Sequence, residues 1–210
     1  MNPMHPLLRP AAVLGLLGAL TLTGAAGCSS ATDSAPRTGE TRKAASSASP
    51  APSATGTATS TDIGWVQLMT PMNQQAVKLL TLAADRAAEP RVRAFAVRLR
   101  TGQEAELRRL RPLLTRMGLP RSDVHAGHDM PGMVTEQDLA AARAAEGPAF
   151  DRLVLARIRD HLRQSAQVSR SEITAGGRAD ARELAAALVA ARETSLAELE
   201  RLPAPVRALG

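Results

Sequence analysis

Residues 62–83 read DIGWVQLMTPMNQQAVKLLTLA, and residues 147–168 read GPAFDRLVLARIRDHLRQSAQV. Each sets apolar side chains three and four positions apart, as Trp65, Leu68, Met69, Met72 and Ala76 in the first and Phe150, Val154, Ile158 and Val168 in the second. That spacing puts one continuous apolar stripe on a helix. A second stretch of the same kind follows each. Val92, Phe95, Ala96, Leu99, Leu107, Leu110, Leu113 and Leu114 line one, and Leu184, Leu188, Leu199 and Leu202 the other. A helical hairpin used twice predicts an all-α four-helix bundle with one long crossover between the halves, residues 62–118 and 147–202.

The ends of these helices are written in the chain. Asp62 suits the N-cap of the first helix, expected over about 63–86, and Pro71 predicts a kink or a late start. Glu89-Pro90 opens the second, which Gly118 and Pro120 close. Gly147-Pro148 opens the third and Gly176-Gly177 ends it; the fourth runs from about Ala179 to Leu202, before Pro203 and Pro205. Its inward positions are expected to include Ala191 and Ser195. Residues 119–134 form a polar crossover. A short helix follows, announced by Thr135 and Asp138 at capping-box spacing.

Aromatic residues make up only 1% of the chain, with one Trp, two Phe and no Tyr. Leu, Ala, Val and Met must fill the core, a composition that helices accept more readily than sheets. The first 27 residues stand apart from the fold. Arg9 precedes an apolar run from Ala11 to Leu22 and a small-residue stretch ending at Cys28, the layout of a secretory signal. The run is short for a membrane-spanning helix. Cys28 is the only cysteine, so no internal disulfide is available. It stands where a lipoprotein signal places its acylated residue, although Ala25 replaces the Leu usual there. The expectation is a lipid anchor on Cys28 at the outer face of the cell membrane, with a soluble secreted form as the alternative. Residues 28–61, rich in Ser, Thr, Ala, Pro and Gly, cannot bury enough apolar surface to offset their ordering entropy and read as a tether. The domain itself is expected over 62–205.

Net charge is +6, carried mostly by arginines interleaved with acids on helix faces. Solvated faces explain this pattern, and without an aromatic-basic motif nucleic acid is excluded as a partner. There is no Gly-rich phosphate loop, no zincin motif and no triad spacing, so an enzyme is not expected.

Two sets of residues could hold a metal. Gln103, Glu106 and His161 fall on the inner stripes, with Met69 near them. A buried carboxylate such as Glu106 needs a metal, a proton or a partner charge, and Arg157, Arg159 and Arg192 are candidates for the last. The crossover provides the second set: His125-Ala-Gly-His128-Asp129-Met130-Pro131-Gly132-Met133. Thioethers favour Cu(I), and imidazole suits copper and zinc. A loop that simply seats Met-Pro-Gly-Met on the bundle is the competing explanation.

At these residues the chain resembles the domain-of-unknown-function 305 family of exported ferritin-like bundles, over residues 61–202. The family's pattern of Asp, an aromatic, Met and then His-His-x-Gln-Ala stands here as Asp62, Trp65, Met69 and Met72-Asn73-Gln74-Gln75-Ala76, without the histidine pair. Its Gln-x-x-Glu-Ile reads Gln103-Glu-Ala-Glu106-Leu107, and its crossover Asp-Met-Pro-Gly-Met is kept as Asp129–Met133. In the second half His-His-x-Gly-Ala reads His161-Leu162-Arg163-Gln164-Ser165, and the closing Gln-x-x-Glu reads Arg192-Glu-Thr-Ser195. The resemblance thus implies a degenerate bundle site, with His161 and Glu106 surviving and no oxidase chemistry. The function expected is an exported, non-enzymatic metal-binding protein that buffers or delivers Cu(I) through His125, His128, Met130 and Met133. The alternative is an interaction module for another envelope protein, without metal.

Overall fold

The computed structural model describes residues 56–122 and 129–202. Among them are five helices and no strand: α1 (Ser60–Arg86), α2 (Pro90–Arg116), α3 (Glu136–Ala144), α4 (Gly147–Ala175) and α5 (Ala179–Glu200). The hairpins α1–α2 and α4–α5 pack face to face, α1 on α4 and α2 on α5, while the short α3 lies on α1 and α4. This is the doubled hairpin that the spacing predicts.

The helix ends follow the expected chemistry with one correction. Asp62 is not the N-cap of α1. Thr59 caps the helix, and Asp62 is the third residue of a capping box, accepting from the Thr59 backbone N–H at 2.6 Å. The helix therefore starts at Ser60, inside the segment assigned to the tether, and runs unbroken through Pro71. Glu89 and Pro90 open α2 as expected. Its end is a Schellman motif: Gly118 takes φ 68°, and Leu119 N–H reaches Leu114 O at 3.0 Å. Thr135 and Asp138 form the predicted capping box of α3. In α5, Ala191 is exposed and Ser195 half-exposed, so the inner stripe there is narrower than expected.

The core falls into two clusters. One surrounds Leu79, Phe95, Phe150, Val154 and Leu162; the other holds Trp65, Met69, Met72, Leu110, Leu184 and Leu188. Met69 is one of the fully buried side chains of the second cluster. Between the two lies a buried polar layer.

The two hairpins are locked by the same device used twice. Asp62, at the start of α1, accepts from the N–H groups of Gly177 and Arg178 in the α4–α5 turn, at 3.1 and 2.9 Å. Asp151, at the start of α4, accepts from Ala88 and Glu89 in the α1–α2 turn, both at 2.9 Å. Arg182 holds the carbonyls of Gly176 and Gly177, and Arg93 those of Ala87 and Ala88. Every partner in the second lock lies at one constant separation in sequence from its mate in the first. The fold thus has an internal pseudo-twofold.

Candidate functional site: a buried polar layer and a crossover turn

The pseudo-twofold pairs Met72 with His161, Gln103 with Arg192, and Glu106 with Ser195. Four of these residues, Gln103, Glu106, His161 and Arg192, meet in the buried polar layer. Arg192 on α5 is 0% exposed and Glu106 on α2 is 9% exposed. The guanidinium grips the carboxylate with two bonds, Nη1 to Oε1 and Nη2 to Oε2, each 2.7 Å. Its Nη2 also donates to Asn73 Oδ1 at 3.0 Å, and its Nε donates to Ser165 Oγ at 2.9 Å. Asn73 Nδ2 closes the ring on Glu106 Oε2 at 2.7 Å. The planar fork of arginine matches a carboxylate in this way, and a fully satisfied network is what a low-dielectric interior requires. Of the three arginines considered as partners for Glu106, Arg192 takes the role. Arg157 instead pairs with Asp138 of α3 at 2.8 Å.

His161 and Gln103 form the next step of the layer. His161 Nδ1 lies 3.3 Å from Gly132 O, and its Nε2 lies 2.9 Å from Gln103 Nε2. A carbonyl only accepts, so Nδ1 carries the proton and Nε2 accepts from the amide. This is the neutral imidazole. Burial first, and then the charge of Arg192, push its pKa down to about 3, against the opposing Gly132 bond. Gln103 Oε1 is left buried with no partner.

These residues do not fit a metal. Both oxygens of Glu106 are held by Arg192, the imidazole lone pair is held by Gln103, and Met69 is committed to the apolar cluster. A guanidinium already bonded to the carboxylate also repels a cation. His161 and Glu106 therefore lie in one layer but do not face a common open point. Asn73 and Ser165, the other members of the network, were not singled out in the sequence. Asn73 fills a position where the resemblance expects histidine, and Ser165 lies on the inner stripe of α4.

A further buried group escaped notice. Glu172, 0% exposed, sits beside Asp62 at the α4–α5 turn. Burial, then the neighbouring carboxylate of Asp62, push its carboxyl up to about 8, with Arg182 opposing. Asp62 moves the other way: burial works against its carboxylate, but the bonds from Thr59 and Arg178 hold it well below the usual range. Glu172 thus carries a proton at neutral pH beside the ionised Asp62, and no hydrogen-bond partner for either of its oxygens is found among the described residues. The spacing Ser165, Ser169, Glu172 continues the inner stripe and could have revealed it.

In the crossover, Met130-Pro131-Gly132-Met133 folds as a type II turn. Met133 N–H reaches Met130 O at 2.9 Å, Pro131 takes the second position, and Gly132 supplies φ 72° at the third. The turn presses on α4: a Cβ on Gly132 would stand 2.4 Å from Gln164 Cβ and 3.0 Å from Asp160 O. Met133 is half-buried against the Trp65 cluster, and Met130 is half-buried at a groove of about 570 Å³ between the crossover, α3 and α4. His125, His128 and Cys28 lie outside the described residues.

Comparison with known proteins agrees with this architecture. A family model described as "Domain of unknown function (DUF305)" matches residues 62–203. Two solved structures are similar. One is a DUF305 protein of Streptomyces coelicolor that is named as secreted, with 21% identity over 65% of this chain and 88% of that one, at a TM-score of 0.57. The other is a DUF305 fragment from Deinococcus radiodurans, with 21% identity over 69% of this chain and 96% of that one, at a TM-score of 0.61. No curated protein matches the chain.

Proposed function

The chain belongs to the DUF305 family, and from that footing we propose that it acts as an exported, non-enzymatic metal-binding protein that takes Cu(I) on its crossover. The observation that carries this reading is the type II turn. It brackets two thioethers, Met130 and Met133, at its first and last positions, whose Cα atoms such a turn holds within about 7 Å. His125 and His128 precede the turn by a few residues and add imidazole to a soft donor set. Met130 and Met133 both line the groove, Met133 from the edge of the core. Export is supported by the signal-like N-terminus and by the secreted relative. Acylation of Cys28 would hold the bundle at the outer face of the membrane on the segment before Thr59.

The test is a Cu(I) competition titration on protein beginning at Ser29, with Zn(II) and Fe(II) as controls. Starting there removes the Cys28 thiol as a competing soft ligand. Saturable Cu(I) binding is expected, lost when Met130 and Met133 are both changed to Leu, a swap that keeps most of the packing. Affinity unchanged by that swap would sink the copper reading. The closed interior around Arg192 would then favour a tethered scaffold for an envelope protein partner.

A further inference from the structure

We infer that Arg192 is the resident cation of the bundle interior: its guanidinium, attached to α5, does the work that a bound metal ion would do between facing helices. The pseudo-twofold gives the reasoning its frame. On the first hairpin the inner positions hold Gln103 and Glu106, three residues apart; on the second, the matching positions hold Arg192 and Ser195. Where the first hairpin has a carboxylate and an amide, the second has a hydroxyl and a guanidinium. The layer thus holds one carboxylate and one guanidinium, an arginine rather than a second acid facing Glu106.

The consequence is visible in the bonding. Arg192 ties together three other helices as a multidentate ion would: α2 through Glu106, α1 through Asn73 and α4 through Ser165. Those bonds run from 2.7 to 3.0 Å, and both partners of the ion pair are buried. Among the described residues, the titratable group whose pKa the Arg192 charge displaces is His161, and it is kept neutral. The Glu106 carboxylate and the Arg192 guanidinium satisfy each other, with Asn73 and Ser165, without any exogenous ion. It follows that removal of the guanidinium leaves a buried carboxylate in a cavity shaped for a planar cation, and that such a cation supplied from solution should bind there. This inference concerns the bundle interior and does not depend on copper binding by the crossover.

The test is chemical rescue read by thermal melting. Arg192→Ala should lower Tm by about 10 °C, as expected for a buried ion pair broken on one side in a domain of this size. Guanidinium chloride at low millimolar concentration, far below denaturing levels, should recover part of that loss by binding the folded state, while NaCl at equal ionic strength should not. The double variant Arg192→Ala, Glu106→Gln should show no guanidinium response. Equal effects of guanidinium and NaCl on Arg192→Ala would overturn the inference. Should that variant fail to fold, Arg192→Met with Glu106→Gln removes both charges and is expected to regain a cooperative melt. A double variant that stays unfolded would also count against a charge-centred role. Finally, protein carrying Met130→Leu and Met133→Leu together with His125→Ala and His128→Ala, to silence the crossover, should keep its Tm after exhaustive chelation. A fall in Tm on metal removal in that background would show that the interior does need an ion.

Discussion

His161 shows how one side chain's surroundings decide its chemistry. Fully buried, with its Nδ1 proton on Gly132 O and its Nε2 lone pair on Gln103, it is structural and neutral. Its folded pKa of about 3 lies below the 6.5 of a free imidazole. Below pH 6.5 the unfolded chain takes up a proton that the folded chain refuses. Its contribution to stability is therefore fully present above about pH 6.5 and is lost as pH falls toward 3, at about 1.4 kcal/mol per pH unit. The Glu172 carboxyl, at about 8, contributes a slope of opposite sign between about pH 4.5 and 8. The His161 share is therefore read as a difference: in urea melts from pH 7 to pH 4, the slope of His161→Met, which borrows the residue of the matching position Met72, should differ from that of the unsubstituted protein by about 1.4 kcal/mol per pH unit. An unchanged slope would mean that other groups govern acid unfolding.

At the scale of elements, the crossover is held by a glycine. Gly132 has a positive φ and no room for a Cβ against α4, and its carbonyl is also the acceptor for His161. Gly132→Ala should cost about 2–4 kcal/mol, combining backbone strain with the overpacked contact. Pro131→Ala, on the exposed side of the same turn, should cost less than about 1 kcal/mol. Thermal melts of the two variants compare them directly. Similar losses would mean that the contact with α4 is not what seats the turn. Because the turn also carries Met130 and Met133, Gly132→Ala is expected to weaken Cu(I) binding as well.

At the scale of the molecule, the two aspartate locks join the hairpins at opposite ends. Asp62 and Asp151 each satisfy two turn N–H groups that the helices leave open. Replacing either with Ala leaves two donors buried or half-buried without their charged acceptor, a loss of about 2–3 kcal/mol. The sites are a bundle length apart, so the double variant should lose close to the sum of the two singles. Chemical denaturation of the three variants measures this. Strong non-additivity would mean that the hairpins communicate through the polar layer.

The chain alone determined the helices, their order and most of their ends, because apolar spacing, Pro90, Gly118, Gly176-Gly177 and the Thr135–Asp138 box act within a few residues of one another. It also determined that polar residues would enter the core, since Gln103, Glu106 and His161 fall on stripes that burial must cover. Only the tertiary structure decided what those residues do. Arg192 is 86 positions from Glu106 and shares no local signal with it; the pair exists because α2 and α5 meet. The same holds for Asp62, which looks like an ordinary helix cap along the chain. Folding brings to it the turn between α4 and α5 and the carboxyl of Glu172. Local chemistry is written in neighbouring residues, whereas the partner of a buried charge is set by which helix faces pack together.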